Sequence, residues 1–122
     1  MGIEELINYV NQYVTIPLYA NDFPKKAKGD CGFVRLEGGG APHMYIDGLT
    51  YPSMQVMIRH EDEQAASIEA QQVWDTFNNK SNFMIGATRV RFASNGQSVP
   101  IYVGKDESGR TLYSVNVSLI IL

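Results

Sequence analysis

The chain has 122 residues, 44% hydrophobic and 19% charged. That is the make-up of a globular chain rather than a disordered one, and its length predicts one domain over residues 1–122. A formal charge of -3 and a pI near 5.3 build no basic field, which argues against nucleic-acid binding as its task. The lone Cys31 excludes an intrachain disulfide and fits a reducing compartment. No basic-then-apolar leader follows Met1, and no apolar run approaches the ~20 residues of a membrane span, so neither export nor membrane insertion is expected.

Residues 3–14 predict a helix, because Ile3, Leu6, Ile7, Val10 and Val14 recur at helical spacing. Glu4 and Glu5 suit its first turn, and Pro17 blocks its continuation. Residues 17–31 are rich in Pro, Asn, Asp and Gly and predict irregular structure, with the basic run Lys25-Lys26-Ala27-Lys28 in a solvated loop. Residues 33–36 predict a short strand, which Gly38-Gly39-Gly40-Ala41-Pro42 ends. Residues 53–59 predict a stronger strand: Met54, Val56 and Ile58 face one way, Gln55, Met57 and Arg59 the other. Residues 62–79 predict the longest helix, with Ala66, Ala70, Val73, Trp74 and Phe77 on one face and Ile68 on the opposite side. Residues 83–93 predict a strand in which Val90 and Phe92 alternate with Arg89 and Arg91. A hairpin follows: two β-rich runs flank a charged turn between Gly104 and Gly109, with Tyr113, Val115, Val117, Leu119 and Ile121 on one face and Ser114, Asn116 and Ser118 on the other.

Helix, strands, long helix and then consecutive strands on short turns imply an α+β fold. Its two layers are a mostly antiparallel sheet and the helices at about 62–79 and 3–14 packed on it.

Chemistry is sparse. The triple glycine lacks the Lys-Ser/Thr ending of a phosphate loop and a helix behind it, and predicts a flexible surface loop. His60-Glu61 lacks the second histidine of a zinc protease motif, and Cys31, His43 and His60 have no metal-ligand spacing. Asp62 and Glu63 suit a helix N-terminus better than an acid–base pair. No nucleophile motif is present, and Cys31 has no cation beside it in sequence, so no catalytic set, cofactor or metal is expected.

One resemblance runs the length of the chain. The segments Phe33-Val-Arg-Leu-Glu-Gly-Gly-Gly40 and Tyr51-Pro-Ser-Met-Gln-Val-Met-Ile-Arg59, the Ala-rich helix through Trp74, and Pro100-Ile-Tyr-Val-Gly-Lys-Asp-Glu-Ser-Gly-Arg-Thr-Leu-Tyr-Ser-Val-Asn-Val-Ser118 resemble minor capsid or tail-terminator proteins of long-tailed bacteriophages. The resemblance implies a virion protein without enzymatic activity or cofactor, assembled in the host bacterial cytoplasm. It implies a hexameric ring of copies, monomeric before assembly in some cases. Such a ring caps the finished tail tube, stops its growth and receives the head-neck connector, while DNA passes through the hole without specific binding. Six copies would carry a formal charge of -18, six times -3, which would repel DNA phosphates from a pore they line.

Position on the expected architecture, rather than any motif, nominates interface residues. Gly38, Gly39 and Gly40, and the hairpin tip with Lys105, Asp106, Glu107 and Arg110, would project from sheet ends; Ile68, Arg89 and Arg91 are candidate subunit contacts, although strand arginines are more often solvated. Two other readings are another phage neck protein, such as a head-completion protein or a tube subunit, of which the tube subunit would polymerise alone, and a small cytosolic enzyme with a pocket around a Tyr, His43 or His60.

Overall fold

The structure, a computed structural model, describes residues 1–25 and 29–122; Lys26, Ala27 and Lys28 of the basic run lie outside the described residues. Its elements are α1 (Ile3–Asn11), β1 (Leu18–Ala20), β2 (Cys31–Gly40), β3 (Tyr51–His60), α2 (Glu63–Phe77), β4 (Lys80–Ile85), β5 (Thr88–Asn95), β6 (Ile101–Lys105) and β7 (Thr111–Ile121). They form the α+β arrangement that the sequence predicts. One seven-stranded sheet runs in the order β1-β2-β3-β7-β5-β4, with β6 added beside β7. Every pairing is antiparallel except β1 with β2.

The register shows why these strands hold together. Val34, Val56 and Val115 form one rung across β2, β3 and β7, and Leu36, Met54 and Val117 form the next. These β-branched and long apolar side chains face the helices and join one core with Leu6, Val10, Ala70, Val73 and Phe77. Asp62 caps α2 by accepting the Gln64 N–H at 3.1 Å, so its carboxylate serves the helix terminus. The predicted helical face is buried at Ala66, Ala70, Val73 and Phe77, while Trp74 sits at the rim and donates its indole N–H to Gln97 O at 2.9 Å. α1 touches β1 and β2 at one end of the sheet order and β4 at the other. The sheet therefore curls around its core, and α1 bridges the opening.

Several details differ from the sequence reading. α1 stops at Asn11 rather than at 14: Val14, Ile16 and Leu18 are buried and their neighbours are not, the period-two pattern of extended chain. Glu69 holds that segment down, accepting the Thr15 N–H at 3.2 Å and its hydroxyl. The region expected to be irregular contains β1, whose three residues sit parallel to β2 because Pro17 O accepts from Gly32 N–H at 2.9 Å.

The single strand expected at 83–93 is the hairpin β4–β5, turning at Gly86 with φ +57°. The left-handed φ favours glycine here, and a Cβ would also push aside the Glu5 carboxylate, whose Oε2 accepts the Ala87 N–H at 3.3 Å and ties α1 to this turn. A register shift against β7 between Val90 and Phe92 then reverses the facing. Val90 and Ala93, three residues apart, both reach the core, and Phe92 does not alternate with Arg91 as expected.

The triple glycine does not break β2, which continues to Gly40. Gly39 has φ +65°, and a Cβ on it would meet Tyr51 O at 1.9 Å, so its bare backbone is what lets the two strands close. On the β7 face opposite the core, Ser114 is buried rather than solvated, its hydroxyl accepting from Gln55 Nε2 at 3.0 Å.

Candidate functional site

The sheet has two ends, and the nominated loops lie one at each. Tyr51 opens β3 beside Gly40 of β2, and Thr50 bridges Ile121 of β7; this end carries the loop 41–50. His60 closes β3 opposite Thr111, which opens β7; this end carries the turn 106–110.

The turn 106–110 is knotted by its own charges. Asp106 Oδ1 accepts the Ser108 and Arg110 N–H groups at 3.0 and 2.8 Å, and its Oδ2 accepts Arg110 Nε at 2.9 Å. Partial burial alone would raise the Asp106 pKa, but the donors from Arg110 and Ser108 outweigh it and hold the carboxyl below its ordinary value of 3.8. Arg110 also donates to Gly29 O at 3.2 Å. Asp106 and Arg110 are thus engaged internally, whereas Lys105 and Glu107 point into solvent.

Beside this turn, Arg59 is buried rather than solvated. It stacks over the Phe23 ring at 4.5 Å and donates to Gly29 O at 3.1 Å and Cys31 Sγ at 3.0 Å. Burial raises the Cys31 pKa, against the lowering pull of Arg59 and Arg110, so the thiol stays protonated at neutral pH. His60 meets Asp30 at 3.3 Å and accepts the Asp62 N–H at 3.0 Å.

The opposite end is organised the other way round. His43 Nδ1 accepts the N–H groups of Tyr45 and Ile46 at 3.1 and 3.0 Å, and His43 N–H donates to Leu49 O at 2.9 Å. Polar groups fix the loop from within, and Met44, Tyr45 and Ile46 are left 83%, 87% and 47% exposed. Gly38, Gly39 and Gly40 form the exposed stem beneath them. His43 is thus at the other end of the sheet from Cys31 and His60, and among the described residues no group of three or more metal-ligating side chains is present.

The remaining nominated residues lie on the flanks. Arg89 and Arg91 are exposed on β5 and have no carboxylate partner among the described residues. Ile68, 55% exposed, borders a groove of about 360 Å³ between the end of α1 and α2, with Tyr13, Val14 and Glu69 along it. A second groove of about 370 Å³ runs from Glu5, Tyr9 and Gln12 to Met84 and Gly86. Between them Lys80 donates to Tyr9 OH at 2.6 Å with its ammonium 4.9 Å from the Phe83 ring centre.

Residues 6–122 match the family model described as Bacteriophage tail terminator protein. The chain belongs to the bacteriophage tail terminator family. Comparison with curated proteins gives no match. Family membership makes the chain a structural component of the phage tail and hence of the virion. No helix among the described residues of this family member is long and apolar enough to cross a membrane.

Sequence reasoning passed over the loop 43–46 as a surface. The signal was three consecutive apolar residues, Met44-Tyr45-Ile46, between Pro42 and Gly48. It also missed Glu69, whose carboxylate lies on the buried side of α2 because a hydroxyl and an N–H from Thr15 wait there.

Proposed function

We propose that this chain ends tail-tube growth by closing into a ring, most simply of six copies, that caps the tube and seats the head-neck connector. A tube grows because each end ring repeats the face it was built on. A cap must match the tube with one face and present something else on the other. The observation that carries this reading is the unlikeness of the two sheet ends: one holds Met44, Tyr45 and Ile46 out to solvent, the other keeps Asp106 and Arg110 for itself and shows Lys105 and Glu107. Both sit on one sheet, so neither has to order itself on docking.

The protein acts by binding alone, and DNA traverses a ring whose copies each carry -3 without being held by it. Adding the protein to growing tail tubes tests the cap: tube length should freeze at the moment of addition, and ends that continue to extend past bound protein refute it. Retention of DNA by the assembled ring at low salt tests the pore, with tight binding as the contrary result.

A further inference from the structure

We infer that the copy-to-copy contact of the ring is made by the β2–β3 hairpin of one copy lying on the β4–β5 ribbon of the next. This rests on the ring reading above and names the two surfaces that would build it.

The two surfaces are complementary in charge. Residues 36–58 contain no Lys or Arg, and they present the exposed carboxylates Glu37 and Asp47, which flank Met44 and Tyr45 in sequence; Arg35, the next cation along β2, is taken up within its own copy by Asn21 O at 2.9 Å and Gln55 Oε1 at 3.5 Å. Residues 78–95 contain no Asp or Glu, and they present Arg89 and Arg91. Glu5 of α1 touches the ribbon's turn and is engaged there by the Ala87 N–H. Met84, opposite Arg89 in the ribbon and 45% exposed, adds an apolar surface beside that cation. Arginine suits such a contact because its planar fork takes a carboxylate through two donors.

Position matches the chemistry. In the order β1-β2-β3-β7-β5-β4, the hairpin and the ribbon stand on opposite sides of β7. Among the described residues none of Glu37, Asp47, Arg89 and Arg91 forms an ion pair within its own copy, so all four are open to a neighbour. The contact is heterologous, hairpin to ribbon, which generates rings or filaments. The hairpin loop and the Gly86 turn lie at the same end of the strands, since Val90 of β5 and Thr50 of the loop both pair with Ile121. A neighbour placed by this contact is displaced sideways rather than along the strands, which favours closure over a climbing filament.

Two charge-reversed proteins test it. Arg89→Glu/Arg91→Glu gives an acidic ribbon facing an acidic hairpin, and Glu37→Lys/Asp47→Lys gives a basic hairpin facing a basic ribbon. All four positions are exposed, so both proteins should fold, which circular dichroism and melting verify. Each alone should sediment as a monomer where the wild type sediments as a ring, in solution or on unterminated tubes. Mixed one to one, they should regain the wild-type ring with alternating copies, because each hairpin then meets a ribbon of opposite charge. A ring formed by either variant alone, or a folded mixture that stays monomeric, overturns the contact and leaves the ring reading standing. A wild type that remains monomeric both in solution and on tube ends overturns the ring reading, and this contact with it.

Discussion

The loop 41–50 and the turn 106–110 are both hairpin connections on the same sheet, and each is fixed by a side chain accepting backbone N–H groups: His43 Nδ1 from Tyr45 and Ile46, Asp106 Oδ1 from Ser108 and Arg110. What differs is what is left over. In the first, the polar group is spent inside and apolar side chains are turned out. In the second, an ion pair is spent inside and isolated charges are turned out. Rigidity at both ends with unlike surfaces is what a cap with two faces requires, and it is reached by the same local device.

The sharpest way to break both ends together is through the frame that holds them. Phe77 is fully buried against the Tyr9 and Phe83 rings, 5.7 and 6.4 Å between centroids. Phe77→Ala should cost about 3–5 kcal/mol, read by urea denaturation, and should loosen the amides of both loops in hydrogen exchange. Loss at one end alone would show that the ends are not carried by a shared core.

The next change separates them. Gly39→Ala places a methyl against Tyr51 O in a left-handed conformation, and should cost about 1–3 kcal/mol. Faster amide exchange should be confined to residues 41–50, with the turn 106–110 unmoved. The complement is Asp106→Ala, which removes the acceptor of three donors in a partly exposed turn and should cost roughly 1 kcal/mol, with faster exchange at Ser108 and Arg110 only.

Acid separates the ends in the same way. The folded Asp106 pKa is depressed, so its contribution is complete above 3.8 and is lost as pH falls below that value toward the folded pKa. Order in the turn 106–110, followed by backbone resonances, should fade below pH 3.8 and should not respond between pH 5 and 8.

How much of this was legible in the sequence depends on what fixes each feature. The α2 face, the β3 alternation and the β7 face follow from periodicity, and Ala66, Val56 and Val117 are buried where the pattern puts them. The β4–β5 hairpin was hidden because its turn shows only a lone glycine, Gly86, inside an otherwise strand-like run, and the group that ties the turn down, Glu5, is more than eighty positions away. Arg59 was hidden for the same reason: its outward position on β3 is right, but Phe23 and Gly29 come over from another segment to cover it. Among the nominated interface residues, Arg89, Arg91 and Ile68 are exposed where strand and helix geometry places them. The loop 43–46 was not legible because an apolar run in a short loop is indistinguishable, by composition, from one that folds back onto a core.

That last ambiguity gives the smallest effect on stability and the largest contrast between stability and assembly. Met44 and Tyr45 touch little of their own chain, so Met44→Ser/Tyr45→Ser should leave the unfolding free energy within about 0.5 kcal/mol of wild type. The matched change at the other end, Lys105→Ser/Glu107→Ser, should be equally silent in denaturation. Both variants should still sediment as rings, because Glu37, Asp47, Arg89 and Arg91 are intact. They should part company when the tube and the connector are offered separately. The first loses the apolar side chains of its end and the second the charged ones of the other, so each should fail with a different partner, and truncating an aromatic anchor that becomes buried commonly costs about 2 kcal/mol or more of binding. Two variants that lose the same partner would mean that the unlike ends do the same work.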